Sequence, residues 1–256
     1  MPPKAKKTAK PEKPKETLPE SIASIASVFV AGLFIITFIV QAFEIPSSSM
    51  ENTLLIGDHV FVDRLTPAAP AAYLGPLMPY RDVRRGEVIV FLHPAEPGMY
   101  VVKRIMGVPG DHVHLEHGQV FVNGKRMNEP YLNPDRGFYD AYRDDFPKEP
   151  AAGTPNVTPE WPMVLSSNLQ NGELVVPRDS YFGMGDNRPR SLDSRYWGFI
   201  PKDNVVGRPL FIYWSFETPA DQYEHTSLSD RAAFILHIVT HFFSETRWSR
   251  MFHLVR

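Results

Sequence analysis

The feature that most constrains this chain is an uncharged stretch of 23 residues, from Ser21 to Phe43. About 20 apolar residues cross the hydrocarbon core of a bilayer as a helix, so this stretch is long enough to span a membrane. A cleaved signal peptide and a buried core helix are the alternatives. The stretch is longer than a usual secretory apolar region, and no small-residue cleavage site follows it closely. The sequence therefore predicts one retained transmembrane helix over Ser21 to Phe43.

The residues before this stretch predict how it is oriented. Met1 to Glu20 contains six lysines and almost no apolar residues, so it cannot bury enough surface to offset its ordering entropy and is predicted to be disordered. Lysines precede the apolar stretch and none follows it closely, which by the positive-inside rule places the N-terminus in the cytoplasm. The chain from Glu44 onward is then expected on the extracytoplasmic side of the inner, or plasma, membrane.

Composition favours a β-rich protein that does not bind nucleic acid. The formal net charge is −2 and 22% of the residues are charged, so no global basic character indicates a nucleic-acid partner. The chain has 25 prolines against 16 glycines, a balance typical of many turns and few long helices. It has no cysteine, which excludes a disulfide framework and cysteine catalysis.

Short apolar runs bounded by turn residues predict seven or more strands after residue 44, including one hairpin. The predicted segments are His59–Asp63, Glu87–Leu92, Tyr100–Met106, the hairpin His112–Val122, Leu174–Val176, Tyr181–Met184 and Leu210–Trp214. The irregular, proline-rich region Pro130 to Pro162 is predicted to be an insertion. The fold class expected from this pattern is mainly β.

Two further segments leave alternatives open. The Pro/Ala-rich segment Thr66 to Tyr80 is either a surface loop or a contact with the membrane surface. Ser229 to Arg256 has helical apolar spacing with arginines and aromatic residues near its end, but its apolar run is too short to span a bilayer. A basic amphipathic helix of this kind suits the membrane interface, and a helix packed on the β-domain is the alternative.

Three consecutive serines follow a proline just beyond the apolar stretch. Pro46 fixes its own φ and restrains Ile45 to an extended conformation, so Ser47 to Ser49 start from a stiff backbone. Three hydroxyls in this position suit a nucleophile better than a core. A serine nucleophile needs a neighbouring base to accept its proton.

Histidine and lysine are the two candidate bases. His112, His114 and His117 are predicted to lie on a solvated hairpin face, without the ligand set of a metal site. Lys103 lies inside the most apolar predicted strand, where burial would lower the pKa of its amine and let it act as the base of a Ser–Lys pair. The alternative is that Lys103 points to solvent from an edge strand.

A third stretch, Gly185 to Gly198, concentrates acids, arginines and serines and predicts an ordered network of ion pairs. Together with the other motifs it carries a family resemblance. In order and spacing, four motifs resemble the successive boxes of the type I signal peptidases, the bacterial leader peptidases. They are Pro46–Met50, Gly57–Arg64, Tyr100–Asp111 and Gly185–Arg195, and the resemblance covers about residues 40 to 215.

The resemblance implies a role for each matching residue. Ser49 would be the nucleophile and Lys103 its general base, while the backbone N–H of Ser49 and the hydroxyl of Ser47 would form the oxyanion hole. Ser191 would hydrogen-bond the Lys103 amine. The residues that would brace the site are Asp186, Arg104, Asp193 and Arg195. The residues that would line shallow pockets for small side chains, alanine above all, are Phe43, Ile45, Pro46 and Val102.

The resemblance also implies a fold and an activity. The expected catalytic β-domain covers residues 44 to 216, with a second β-rich insertion at about 124 to 180, and residues 217 to 256 form a linker and an amphipathic helix. The expected activity is that of a membrane-anchored serine endopeptidase that removes signal peptides from exported preproteins. It would need no cofactor or metal, would have preproteins and the lipid bilayer as partners, and would be a monomer.

Two rival functions are considered. The self-cleaving SOS repressors share the Ser–Lys chemistry but need a DNA-binding domain where this chain has its apolar stretch. A membrane-anchored β-domain that binds exported proteins without cleaving them is the other rival, against which the intact Ser49 and Lys103 argue.

The chain departs from the family pattern at two positions close to the nucleophile. Ser48 stands where many members have glycine, and Asn52 stands where many have proline. The extra hydroxyl of Ser48 leaves open which serine completes the oxyanion hole. Some members also have two spans before the catalytic domain, whereas one is predicted here.

Overall fold

A computed structural model describes residues 17–66, 81–132, 137–148, 150, 154–224 and 227–256. Most of the predicted disordered tail and residues 67–80, for which a membrane contact was one alternative, lie outside the described residues. The described part confirms the predicted fold class, because it is mainly β with an apolar helix at its N-terminal end and a second long helix near its C-terminal end.

The first helix, α1, spans Leu18–Phe34 and continues as a short π-helix over Ile35–Ile39. It begins before the predicted Ser21 because the Glu20 carboxylate accepts hydrogen bonds from the backbone N–H and the hydroxyl of Thr17, each at 2.8 Å. By length and composition, the helical stretch Leu18–Thr37 is able to cross a membrane, with a mean hydropathy of 1.9 and no buried residue.

The predicted end of the span at Phe43 is wrong. Strand β1 spans Val40–Glu44 and pairs antiparallel with strand β2, Asp58–Asp63. Several β-branched residues precede this point, namely Ile35, Ile36, Thr37, Ile39 and Val40. Such side chains favour extended backbone when a partner strand is available, and apolar composition alone does not reveal that partner.

The remaining strands complete two antiparallel sheets. They are β3 (Val88–Leu92), β4 (Tyr100–Gly107), β5 (His112–Glu116), β6 (Gln119–Val122), β7 (Lys125–Arg126), β8 (Leu169–Gln170), β9 (Glu173–Val175), β10 (Ser180–Met184), β11 (Ile200–Pro201) and β12 (Val205–Ser215). The first sheet has the strand order β1-β2-β12-β3-β4-β10-β11, and the second has the order β7-β6-β5-β9-β8. Three short helices lie among them, α2 (Ala141–Asp144), α3 (Trp161–Ser167) and α4 (Ser194–Trp197).

The position of β4 decides where Lys103 points. This strand lies between β3 and β10, and Lys103 is paired with Ile89 of β3. Lys103 is only 3% exposed, so the alternative of a solvent-facing lysine on an edge strand is wrong. The first sheet therefore holds an amine in its interior.

The second sheet begins earlier than the insertion predicted at residues 124 to 180. It includes the hairpin of β5 and β6, which starts at His112, and it closes with β8 and β9. The side chains of Phe146, Trp161 and Leu165 pack with those of the hairpin in one buried cluster. The sequence places this hairpin in the catalytic core, because its apolar and polar residues alternate in the same way as those of the preceding strands.

The C-terminal part is a helix followed by a segment that contains one 3₁₀ turn, Trp248–Arg250. Helix α5 spans Leu228–Glu245, so the predicted helix to Arg256 is wrong beyond Glu245. Thr246 and Leu254 then form isolated bridges with Phe216 and Phe211.

Two of the three arginines near the end of the predicted helix bind the core. Arg250 donates two hydrogen bonds to the buried Asp58 carboxylate, at 2.6 and 3.1 Å. Arg247 donates to the backbone carbonyls of Ile56 and Phe216. A buried carboxylate needs a charged partner, and this requirement cannot be read from helical periodicity.

Candidate active site

Ser49 lies on a tight turn directly after β1. Ile45 anchors the start of this turn, because its N–H donates to the Asp58 carbonyl at 2.9 Å and its carbonyl accepts from Gly57 N at 3.0 Å. Ser48–Met50 then form one 3₁₀ turn, with the Met50 side chain buried in the core. This arrangement leaves Ser49 9% exposed at the edge of the core.

The Lys103 amine meets the Ser49 hydroxyl. Its Nζ donates to Ser49 Oγ at 2.7 Å and to the Val102 carbonyl at 3.1 Å. Burial lowers the pKa of Lys103 to about 8, against the opposing effect of the nearby Asp193 and Asp186 carboxylates. The site thus brings together the predicted serine and a lysine that is neutral in an appreciable fraction near neutral pH.

The two neighbouring serines differ in their relation to Ser49. The Ser47 hydroxyl lies 3.3 Å from Ser49 Oγ, and Ser47 is exposed. Ser48 takes part through its backbone carbonyl, which accepts from Asn187 Nδ2 at 3.1 Å. The hydroxyl next to Ser49 is therefore that of Ser47, as the resemblance implies.

Arg104 and Asp186 form a buried ion pair beside the serine turn. Arg104 Nε and Nη2 donate to the two Asp186 oxygens at 2.8 and 2.6 Å. The Thr53 hydroxyl also donates to Asp186, at 2.5 Å, and the guanidinium carbon of Arg104 lies 3.7 Å from the centre of the Tyr131 ring. All these contacts tie strand β4 to the segment that carries Ser49.

A second buried ion pair, Asp193 with Arg195, braces the loop that follows β10. Arg195 Nε and Nη2 donate to the Asp193 carboxylate at 2.8 and 2.7 Å, and Gly185 N donates to it at 3.0 Å. Burial by itself would raise the pKa of Asp193, but the charge and hydrogen bonds of Arg195 and the Gly185 N–H hold that pKa below its usual value. Both acids of the site are therefore bound to arginines, which leaves neither carboxylate a free ligand for a metal ion.

The predicted hydrogen bond from Ser191 to Lys103 is not formed. Ser191 is 3% exposed and its hydroxyl has no hydrogen-bond partner. The amine is directed instead at Ser49 and at the carbonyl of Val102, on its own strand. A motif match places Ser191 in the right loop, but it cannot fix the side-chain direction.

The residues predicted to line the substrate pockets lie in one region. Phe43 and Val102 are half-buried and pack against the cluster that contains Ile45 and Met50. Ile45 is only 3% exposed, so it supports this surface from below, whereas Pro46 is exposed.

Asn187 is a site residue that the sequence analysis missed. Its N–H donates to the Ser49 carbonyl at 3.1 Å, and its side-chain amide donates to the Ser48 carbonyl at 3.1 Å and to the Glu51 carboxylate at 3.0 Å. These bonds fix the turn that carries Ser49. Asn187 could have been predicted, because it lies inside the Gly185–Arg195 motif. The motif was interpreted through its charged residues, such as Asp186 and Arg188, and Asn187 is uncharged.

Asn52 shows why the departure from proline matters. Its φ is 92°, a left-handed conformation that asparagine tolerates and the proline ring excludes. Its side-chain amide donates to the Tyr131 carbonyl at 2.6 Å. Asn52 therefore links the serine turn to the segment whose Tyr131 ring covers Arg104.

Comparison with known proteins shows which family the chain belongs to. The family model described as "Signal peptidase, peptidase S26" matches residues 18–214. The signal peptidase I of Aquifex aeolicus (strain VF5) is 31% identical over 231 residues, which cover 78% of this chain and 86% of that protein. The signal peptidase I of Buchnera aphidicola subsp. Acyrthosiphon pisum is 30% identical over 241 residues, covering 77% and 76%.

Among solved structures, a signal peptidase I from Enterococcus faecalis V583 is 28% identical, with a TM-score of 0.32. It matches 50% of this chain and 97% of its own.

These sequence matches show that the chain is a serine protease. The chain belongs to the signal peptidase family, peptidase S26, and within it to the type I signal peptidases. The resemblance inferred from the four motifs is confirmed.

Gly185→Ala is expected to lower kcat/KM by about 100-fold, because a side chain there would push the serine turn out of place. An added Cβ would lie 2.2 Å from Ser191 Oγ and 2.4 Å from the Ser49 carbonyl oxygen. The measurement is peptide hydrolysis by the detergent-solubilised full chain. Gly32→Ala is the control, since nothing lies within 4 Å of its added Cβ. Wild-type activity in Gly185→Ala would show that the turn is not confined as described.

Proposed function

We propose that this chain removes signal peptides from exported preproteins, with Ser49 as the nucleophile and Lys103 as the general base. The observation that carries the proposal is the 2.7 Å contact between the buried Lys103 amine and the Ser49 hydroxyl, in a chain that belongs to the signal peptidase family. A lysine with a pKa of about 8 is matched to accepting a proton from serine near neutral pH.

The reaction proceeds in two stages, acylation and deacylation, and in each stage Lys103 first accepts a proton and then gives it up. The neutral amine takes the Ser49 proton while Ser49 Oγ attacks the scissile carbonyl, and the ammonium then gives that proton to the leaving amine. The Ser47 hydroxyl and the Ser49 N–H stabilise the negative oxygen of the tetrahedral intermediate. A water molecule, deprotonated by Lys103, hydrolyses the acyl-enzyme and returns the proton to Ser49 Oγ.

The exposed edge of β4 supports an extended substrate. Strand β10 pairs with β4 at Arg104, Ile105 and Gly107. Among the described residues, the stretch Tyr100 to Val102 therefore has a strand neighbour on its β3 side only. A peptide added along this edge would pass Lys103 and Ser49, in the manner of strand addition.

The surface beside that edge supports small side chains next to the cleaved bond. Phe43 stacks edge-on against Tyr100, with ring centres 5.2 Å apart, and this pair closes the surface next to Val102. Val102 beside this pair is half-buried and packs against the apolar cluster that contains Ile45. We infer a preference for alanine-sized residues at the first and third positions before the cut.

The apolar helices support a membrane location. The stretch Leu18–Thr37 has no buried residue and serves as the anchor in this proposal. Helix α5 packs Phe234 and His237 against Phe216 on one side. On its other side it exposes an apolar row of Ile235, Leu236, Val239 and Phe243. We assign this row to the membrane surface. One side of α5 then packs on the β-domain and the other side contacts the membrane interface.

Ser49→Ala and Lys103→Ala are each expected to abolish cleavage of a purified precursor with an Ala-x-Ala site, because each removes one partner of the reacting pair. Ser48→Ala is the matched control and should keep nearly full activity, since its side chain has no role in this mechanism. The measurement is release of the mature protein, followed by gel electrophoresis. A wild-type chain that binds the precursor without cleaving it would favour the non-catalytic alternative.

The rate should rise with pH as Lys103 loses its proton. Below a pKa of about 8 the amine is charged, so kcat/KM is expected to fall about tenfold per pH unit there and to reach a plateau above it. The check is the pH profile of kcat/KM between about pH 6 and 10. Ser47→Ala should lower the plateau while keeping the midpoint, because Ser47 does not titrate in this range. A profile that is flat across the range would rule out a lysine base.

The orientation is testable because the chain has no cysteine. Ala5→Cys in the tail should be protected from a membrane-impermeant maleimide applied to the outside of intact cells or spheroplasts, and Ser166→Cys on α3 should be labelled. Ser166 is exposed, so its reactivity reports only its side of the membrane. Disruption of the membrane should make both positions reactive. Labelling of the tail in intact spheroplasts would reverse the proposed topology.

A further inference from the structure

Three metal-ligating side chains converge on one side of α5. His237, His241 and Glu245 are spaced by four residues, so they follow one another along one face of the helix. Their ligand atoms all lie within 4.8 Å of one another. In the described part of the chain, this is the one group of three or more such residues that converges in this way.

His237 and Glu245 already meet across the cluster. His237 Nε2 lies 2.7 Å from a Glu245 carboxylate oxygen, and the rings of His237 and His241 stack with centres 4.3 Å apart. His237 also packs edge-on against Phe216, at 6.0 Å between ring centres. The buried side of the cluster is thus held by the core, while His241 faces solvent.

The hydrogen bonds of His241 leave one of its nitrogens free. Its Nδ1 lies 3.1 Å from the His237 carbonyl oxygen and 2.9 Å from the Thr240 hydroxyl. A carbonyl only accepts hydrogen bonds, so Nδ1 carries the proton and Nε2 keeps its lone pair. An N–H donated to a backbone carbonyl is the usual way in which proteins orient a metal-binding histidine.

We propose that His237, His241 and Glu245 form a zinc site at the C-terminal end of α5. Two imidazoles and one carboxylate suit Zn²⁺ among the divalent ions, and a tetrahedral ion bound by three side chains keeps its fourth position for water. The site lies outside the matched residues 18–214. The sequence prediction of no metal site rested on the hairpin histidines and did not include this spacing of four residues.

The bound ion would stabilise the last turns of α5, where the helix meets the catalytic sheet. The Glu245 carbonyl accepts from Glu217 N at 3.0 Å, and Thr246 forms a bridge with Phe216. An ion that joins three successive turns would stop the end of α5 from fraying at this junction. Its role is therefore structural, and the peptidase reaction is expected to proceed at the same rate in variants that lack the site.

The site can be tested by measuring how tightly the untagged full chain binds zinc in detergent. The measurement is a titration against a chromophoric chelator at pH 7.5. We expect one zinc per chain, and His241→Ala and Glu245→Gln should each weaken binding by at least about 10-fold. His241 is exposed on a helix surface, where alanine favours the helix, so its substitution should leave the fold intact. His114→Ala is the matched control, because His114 also lies 2.7 Å from a glutamate, Glu173, and its loss should change nothing.

A second measurement separates a zinc site from a simple His–Glu ion pair. Zinc should slow amide hydrogen exchange in the last turns of α5 in the wild type and in His114→Ala, but not in His241→Ala. Precursor cleavage should be equal in all four proteins, which shows that each is folded. The proposal is overturned if the wild type binds no zinc, if His241→Ala binds it as tightly as the wild type, or if only His114→Ala loses it.

Discussion

The desolvation of the buried Lys103 amine is the constraint on which the rest of the site depends. An ammonium group inside a sheet is costly, and that cost lowers the pKa of Lys103 to about 8. Two carboxylates nearby, Asp193 and Asp186, act in the opposite direction. Each of them is bound to its own arginine, Arg195 or Arg104, by two hydrogen bonds. The arginines thus keep the acids from serving as partners that would hold Lys103 in its charged form.

A reactive pair also needs its serine held still, and backbone contacts supply this. The Ser49 carbonyl accepts from Asn187 N, and Gly185 allows the loop to approach that carbonyl more closely than any side chain would permit. Met50, directly after Ser49, is 1% exposed and anchors the turn in the core. The loop that braces the acid Asp193 is therefore the same loop that positions Ser49, so the electrostatics and the geometry of the site are fixed together.

The contact between Ser49 and Lys103 could be predicted from the sequence, whereas several of its surroundings could not. Lys103 stands out because a charge inside an apolar strand has few explanations, and Ser49 stands out because it follows a restrained Pro46. The direction of the Ser191 side chain depends on packing within a loop, which a motif does not encode. Likewise, the end of the apolar helical stretch at Ile39 depends on β2 as a partner for β1, and the end of α5 at Glu245 depends on the buried Asp58, which Arg250 binds.

The direct passage from helix to sheet ties the membrane to the chemistry. The chain leaves the apolar stretch at Thr37 and enters β1 at Val40, with no loop of its own between them. The twelve residues from Phe38 to Ser49 would reach at most about 40 Å if fully extended. Under the proposed membrane anchoring, Ser49 would stay within that distance of the bilayer surface. A precursor held in the same bilayer by its own apolar segment would then meet Ser49 at a high effective concentration.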